Sequence, residues 1–299
     1  MGFLYQEFSK TEEKLNLKPG LYIVSTPIGN IEDITIRAIK ILRSVDYIIC
    51  EHHEITNKLL KHYQIKTKVL HYNDDMPLKY LDRIYNIIDS CKTIALVSDA
   101  GTPTVSDPGY KIIQYVLNQN LELFSIPGPS SSIAALTLSG FNTNNFYFVG
   151  FLQGTEAKIK STLEDVYKIQ SLLIFFESPH RLLKTLEILK SKFGENCQIS
   201  ISKEITKFYE ESLRGTIDEV ISILKSKPTV KGEYVLIVNN INKHIDKEST
   251  ENQIRQIITR SSKEGVHTKS IIERIHSEIP DLKISKNTLY KMIIDCNQY

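Results

Sequence analysis

TIALVSDAGTPTVSDPG, Thr93–Gly109, holds a strand and the long turn that follows it. Thr93–Asp99 is a short run of apolar and β-branched residues, the pattern of a buried strand. Ala100–Gly109 then places two prolines and two glycines in ten residues, too many turn formers to continue a strand or a helix. A helix is expected from Tyr110 to about Asn118. Two more junctions of this kind lie on either side. Leu21–Thr26 (LYIVST) is stopped by Pro27 and Gly29, and Leu121–Ile126 by Pro127-Gly128-Pro129. Apolar strands alternating with amphipathic helices predict an α/β protein with a mainly parallel sheet covered on both faces.

The remaining segments extend this alternation. Residues 1–19 are polar and read as an N-terminal arm. Asp33–Val45 has helical spacing, with Asp33 as its expected N-cap. Asp46–Glu51 and Lys68–Tyr72 read as strands, Thr56–Tyr63 and Leu78–Ser90 as helices. Ser130 or Ser131 would cap a helix running through Leu138. The turn-rich GFNTNN, Gly140–Asn145, marks a domain boundary. A second set follows: strand Phe146–Leu152, helix Glu156–Ile169, strand Leu172–Glu177, helix Arg181–Phe193, strands Gln198–Thr206 and Phe208–Arg214, a helix capped at Gly215-Thr216, and a closing strand Gly232–Asn239. Close succession of strands predicts a mixed sheet. The expected organisation is an α/β domain over 20–140, a second over 141–240, a linker over 241–251 and a small three-helix, helix-turn-helix-like domain over 252–299.

The composition suits a soluble cytoplasmic protein of 299 residues, 41% hydrophobic and 24% charged. The net charge of +2 does not mark the whole chain as a polyanion binder. The excess lies in Thr250–Tyr299, with eight Lys/Arg against six Asp/Glu, a weak pointer to RNA. Arg255, Arg260, Lys263, Lys269, Arg274, Lys283, Lys286 and Lys291 could contact phosphates or cover solvated helix faces. Cys50, Cys91, Cys197 and Cys296 are scattered without a CxxC pair, so neither a zinc site nor a disulfide framework is expected. The N-terminus lacks the apolar core of a signal peptide, and no apolar run approaches the roughly 20 residues that cross a bilayer. GxGxxG, the P-loop, GxSxG and HExxH are all missing, which removes the usual dinucleotide, nucleotide and zinc-protease readings; a Ser-His-Asp triad stays open, with no motif to mark its nucleophile.

Open α/β sheets bind ligands beyond the carboxyl ends of their strands. Three turns qualify: Thr26–Asn30, Ser98–Gly109 and Pro127–Ser132. Their glycines permit close backbone approach to a flat ligand, and Asp99 at a strand end can accept from an amine or a ribose hydroxyl.

STPIGN (Ser25–Asn30), LVSDAGTPTVSDPG (Leu96–Gly109), PGPSSSIAAL (Pro127–Leu136), FESPHRL (Phe176–Leu182), EITKFYEE (Glu204–Glu211) and GEYVLIV (Gly232–Val238) occur in this order. Together they resemble the tetrapyrrole methylase superfamily, and within it the branch that methylates small-subunit ribosomal RNA. STPIGN separates that branch from the porphyrinoid methylases, whose first loop is usually of GxGPG type. The resemblance spans about Leu17–Asn239, and Asn252–Asp295 is similar to the branch's small helical domain.

The resemblance implies two α/β domains with S-adenosyl-L-methionine folded in the cleft between them, usually in a homodimer. It implies methyl transfer to the ribose 2′-hydroxyl of a cytidine in 16S rRNA or the small ribosomal subunit, with no metal and no membrane. Carried over by motif, Ile28, Asp99, Gly101, Val105, Ser106, Ser130, Ser131, Leu152, Phe176 and Tyr234 would hold the cofactor. Gly29, Asn30, Arg181 and Lys203 would meet the substrate, although Arg181 could instead pair within its own domain. Two stretches depart from the pattern. An acidic EDTR-type stretch is here Glu51-His52-His53-Glu54, and the usual Arg-Glu before ITK is Lys203-Glu204. In-line displacement needs the acceptor oxygen held at near-attack distance and helped by a proton acceptor. Glu51 is the leading candidate, with Asp33, His52 and His53 behind it. The competing readings are a porphyrinoid C-methyltransferase on the same scaffold and a non-catalytic, ribosome-binding relative.

Overall fold

A computed structural model describes residues 14–90, 92–241, 247–279 and 284–296. Most of the arm, together with Cys91 and Lys283, lies outside the described residues. The chain divides into two compact units, residues 1–240 and 241–299.

Five strands, β1 (Gly20–Val24), β2 (Tyr47–Cys50), β3 (Lys68–His71), β4 (Thr93–Leu96) and β5 (Leu123–Ile126), form the first sheet in the order β3-β2-β4-β1-β5. All its pairings are parallel. Alternate residues sort to opposite faces, as the strand period of two requires. Tyr22, Val24, Ile48, Cys50 and Ala95 pack under α1 (Ile36–Ser44) and α2 (His53–His62). Leu21, Ile49, Ile94 and Leu96 pack under α3 (Leu78–Asp89) and α4 (Tyr110–Asn118). With both faces covered, the strands read as nearly continuous apolar runs.

The second sheet contains β6 (Phe146–Phe151), β7 (Leu172–Glu177), β8 (Gln198–Lys203), β9 (Glu211–Thr216) and β10 (Tyr234–Asn239), in the order β6-β7-β10-β8-β9. β6 and β7 are parallel, and the other pairings are antiparallel. One face packs on α6 (Glu156–Tyr167), α7 (Leu182–Phe193) and α8 (Ile217–Ser226) through Leu173, Phe175, Leu186, Ile201, Val220 and Leu236. A capping box between Thr216 and Glu219 starts α8. The helix before the expected boundary at 140, α5 (Ser131–Ser139), packs against β8, β9 and β10 of the second sheet. Its buried Ser132, Ala135 and Ser139 are small enough for close approach, and Arg214 of β9 donates to the carbonyl of Leu138 at its end.

Three local expectations change. Asp33 does not cap α1: the Thr35 hydroxyl accepts from Ala38 N, and Asp33 ends a short 3-10 turn, Ile31–Asp33, capped by Asn30. A proline-free turn over 204–210 replaces the start of the strand expected from Phe208, and β9 begins only at Glu211. The third helix-rich segment begins at Lys247, inside the stretch read as a linker. In the second unit, α9 (Lys247–Lys263), α10 (Thr268–Glu278) and α11 (Lys286–Cys296) bury Ile254, Ile258, Ile271, Ile275, Leu289 and Ile293 against one another.

Candidate active site

β4, β1 and β5 are neighbours, so the turns that leave their carboxyl ends emerge side by side. Hydrogen bonds tie these turns together. Thr26 N donates to Gly101 O at 2.9 Å and Gly101 N to Thr26 O at 3.0 Å. The Thr26 hydroxyl donates to Ser98 O at 3.1 Å, and the Ser25 and Thr102 hydroxyls meet at 3.1 Å. Gly101 has φ +78°, and a Cβ there would lie 3.3 Å from Ile28 Cγ2. Thr104 and Ser106 are also left-handed, at φ 72° and 66°, in the turn after β4. Backbone strain of this kind persists where surrounding bonds over-determine a loop, and it gathers at ligand sites.

A cleft of about 340 Å³ opens between these turns and the second sheet. Ile28, Val105, Ser106, Ser131, Phe176 and Tyr234 line it, six of the residues expected to hold a cofactor. Ser130, Gly101 and Asp99 adjoin lining residues. Ser130 shares a 3.0 Å hydrogen bond with Ser132. Leu152 is buried behind the wall, where its carbonyl accepts from Arg181 Nη1 at 3.1 Å. Phe151 stands in the wall itself, edge-to-face with Phe176.

The sequence reading missed Asp107, Glu177, Ile205, Glu233 and Val235, all of which line the cleft. An acidic strand end, FFE at Glu177, was a legible signal of the same form as VSD at Asp99. Nothing local distinguishes Asp107 from an ordinary turn residue. Arg181 does not reach into the cleft. Its guanidinium holds the buried Glu177 carboxylate, with Nε at 3.1 Å and Nη2 at 3.0 Å, while Thr185 and Ser178 N also donate to it. Lys203 ends β8 opposite Tyr234 and Glu211 and does not line the cleft. Gly29 and Asn30 are exposed at the rim.

On the first-sheet side Asp107 lines the cleft, while Glu51, His52 and Asp99 form an acidic cluster outside the lining. His52 Nδ1 lies 2.6 Å from Asp99 Oδ2, and that hydrogen bond raises the imidazole pKa, with the Asp99 charge adding to it. Asp99 Oδ1 is buried and makes no hydrogen bond with any described residue. Glu51, His52 and Asp99 bring donor atoms within 4.8 Å of one another. A cation bound there would displace the proton that Asp99 favours on His52. Burial pushes the Asp107 carboxyl up to about 6, with the charges of Glu51 and Asp99 adding to the effect. His53 lies 6.0 Å from the His71 ring, and Asp33 accepts from the Thr206 hydroxyl. Neither is in the cleft lining.

This donor set fits S-adenosylmethionine. An orphaned buried carboxylate oxygen can accept from an amine or a hydroxyl, as unpaired buried polar atoms demand. The carboxylates of Asp99 and Asp107 suit a cationic ligand, and the apolar wall of Ile28, Phe176 and Val235 suits a flat ring.

A family model described as Tetrapyrrole (Corrin/Porphyrin) Methylases matches residues 20–221. A ribosomal RNA small subunit methyltransferase I of Rickettsia prowazekii is 39% identical over 277 residues, 93% of this chain and 97% of that protein. A protein of the same name from Hydrogenobaculum sp. is 42% identical over 224 residues, 74% of this chain and 96% of that protein. Among solved structures, a cobalt precorrin-4 methyltransferase superposes with TM-score 0.55 at 16% identity, over 75% of this chain and 96% of that one, which shows the shared fold.

Proposed function

Because this chain belongs to the tetrapyrrole methylases, we propose that it moves a methyl group from S-adenosylmethionine to the ribose 2′-hydroxyl of a cytidine in 16S ribosomal RNA, working as a cytoplasmic homodimer. The observation that carries this reading is the cleft, where three stitched turns present carboxylates and serine hydroxyls opposite an apolar wall. The names of the relatives supply the RNA, and the STPIGN turn supports that branch over porphyrinoid substrates. The cofactor supplies a methyl carbon activated by a positively charged sulfur.

The chain's own residues do the positioning. Asp99 Oδ1 and the serines of the Pro127–Ser132 turn anchor polar groups of the cofactor, while Ile28, Phe176 and Tyr234 flank its flat part. Gly29, Asn30 and Lys203 are assigned to the entering nucleotide. Glu51, whose carboxylate lies within 4.8 Å of donor atoms of His52 and Asp99, is assigned to take the proton from the attacking hydroxyl. Arg181, committed to Glu177, holds the far wall in place.

Mass mapping of nuclease-digested 16S rRNA from cells with and without the gene tests this. One cytidine should lose a ribose methyl in the deletion strain. An unchanged rRNA would sink the reading and direct the search to small-molecule acceptors.

A further inference from the structure

Phe208 and Tyr209 sit at the tip of the turn between β8 and β9, with fractional exposures of 92% and 71%. Leaving a phenyl ring in water forgoes the burial that aromatic side chains ordinarily gain. The turn that exposes them is braced on several sides. Glu204 N donates to Glu233 O at 3.0 Å, and Glu204 Oε1 accepts from Glu233 N and Lys207 Nζ, each at 3.0 Å. Lys207 N donates to Glu204 O and Glu210 N to Lys207 O, at 2.9 and 3.1 Å. Thr206 donates to Asp33 through its hydroxyl and to Glu210 through its backbone. Glu204 and Thr206 are held left-handed, at φ 49° and 66°, a conformation that side chains other than glycine rarely adopt. A stiff turn thus holds two aromatic rings in solvent.

The turn is continuous with the cleft. Ile205, in the same turn, lines it, and so does Glu233, the turn's partner. The Lys207 side chain lies against Gly29, where a Cβ would come within 2.5 Å of Lys207 Cγ. Phe208 and Tyr209 therefore stand beside the rim where the acceptor enters. Their rings meet edge to face, with centroids 5.0 Å apart and planes at 90°. That pairing leaves ring faces open for a flat partner.

We propose that Phe208 and Tyr209 form a stacking platform for an unpaired base of the acceptor RNA, next to the nucleotide being methylated. The proposal rests on the RNA reading given above. Stacking on an aromatic face is the sequence-tolerant way in which proteins hold splayed single-stranded bases. Lys203, the last residue of β8, stands at the foot of the turn and adds a positive charge for the adjoining phosphate.

The test is steady-state methyl transfer to small ribosomal subunits from a strain lacking the gene, with Phe208→Ala, Tyr209→Ala, the double variant and Phe208→Trp. The alanine variants should raise KM for the subunit about 10-fold each, in line with the loss of one stacked base. Their S-adenosylmethionine Kd by calorimetry, melting temperature and solution mass should not change. Phe208→Trp should keep KM near wild type. If wild type methylates the subunit and the double variant has the same KM, the platform is overturned while the RNA reading stands. A fall in solution mass of the double variant would also overturn it, by making the pair a contact between copies of the chain. If wild type leaves the subunit unmethylated, both readings fail together.

Discussion

Burial and the charges of Glu51 and Asp99 push the Asp107 carboxyl up to about 6. A raised pKa means that the protonated form is favoured in the folded chain. Its contribution to stability is full below the ordinary value of 3.8 and is lost as pH rises through about 6. Binding of a cationic cofactor has the opposite sign, because only ionised Asp107 attracts it. The affinity for S-adenosylmethionine should therefore rise about 10-fold from pH 5 to pH 7, since a group of this pKa is about nine-tenths protonated at the lower value. Asp107→Asn should flatten that step, and calorimetry across this range checks both. A step that survives in the variant would assign the titration to another group. Asp107 stood in the SDPG motif from the outset, but as a turn residue. Burial among carboxylates brought together from two different turns has no local sequence signal, and neither does the bond between His52 and Asp99.

At the scale of elements, the strand ends and helix starts around the cleft depend on a few polar clamps. Arg181 joins the end of β7 to the start of α7 and to the carbonyl of Leu152 after β6. Removing one partner of a buried ion pair leaves the other charged and unpaired, which costs about 3 kcal/mol or more. Arg181 is partly exposed, so Arg181→Ala should cost about 2–3 kcal/mol in urea unfolding, with Arg181→Lys in between. Loss of RNA affinity without loss of stability would show that the guanidinium serves phosphate instead. Most elements were legible because their periodicity is strong: both sheets, the parallel first one in particular, follow from apolar runs punctuated by Gly and Pro. The exceptions have physical causes. Phe208 and Tyr209 have strand propensity but sit in a turn, because side-chain and backbone bonds to Glu233 and Asp33 hold that turn. Asp33 is a good N-cap residue drawn instead to Thr206, on a segment far away in sequence.

For the whole molecule, the useful division is the one at residue 240. Each unit has its own apolar core, that of the second being built from isoleucines and Leu289. A chain ending at Asn240 should fold and bind S-adenosylmethionine within about twofold of the full protein, because every residue lining the cleft belongs to the first unit. Its affinity for small-subunit RNA should fall, because Arg255 and Lys263 on α9 leave with the second unit. Filter binding and calorimetry on the two chains measure both, and lost cofactor binding would contradict the division. The three turns of the cleft come from strands far apart along the chain: the Ser25 and Thr102 hydroxyls that help join them are 77 positions apart. The opposite wall arrives later still, with Tyr234 and Val235. During synthesis on the ribosome, then, no fragment short of the last strand can recruit the methyl donor. The loop closures that build the cleft are also the slow, entropically costly ones. The donor can hold together only a chain that already carries Tyr234 and Val235, so a product stalled or clipped short of that strand gains nothing from it and is left exposed to proteases.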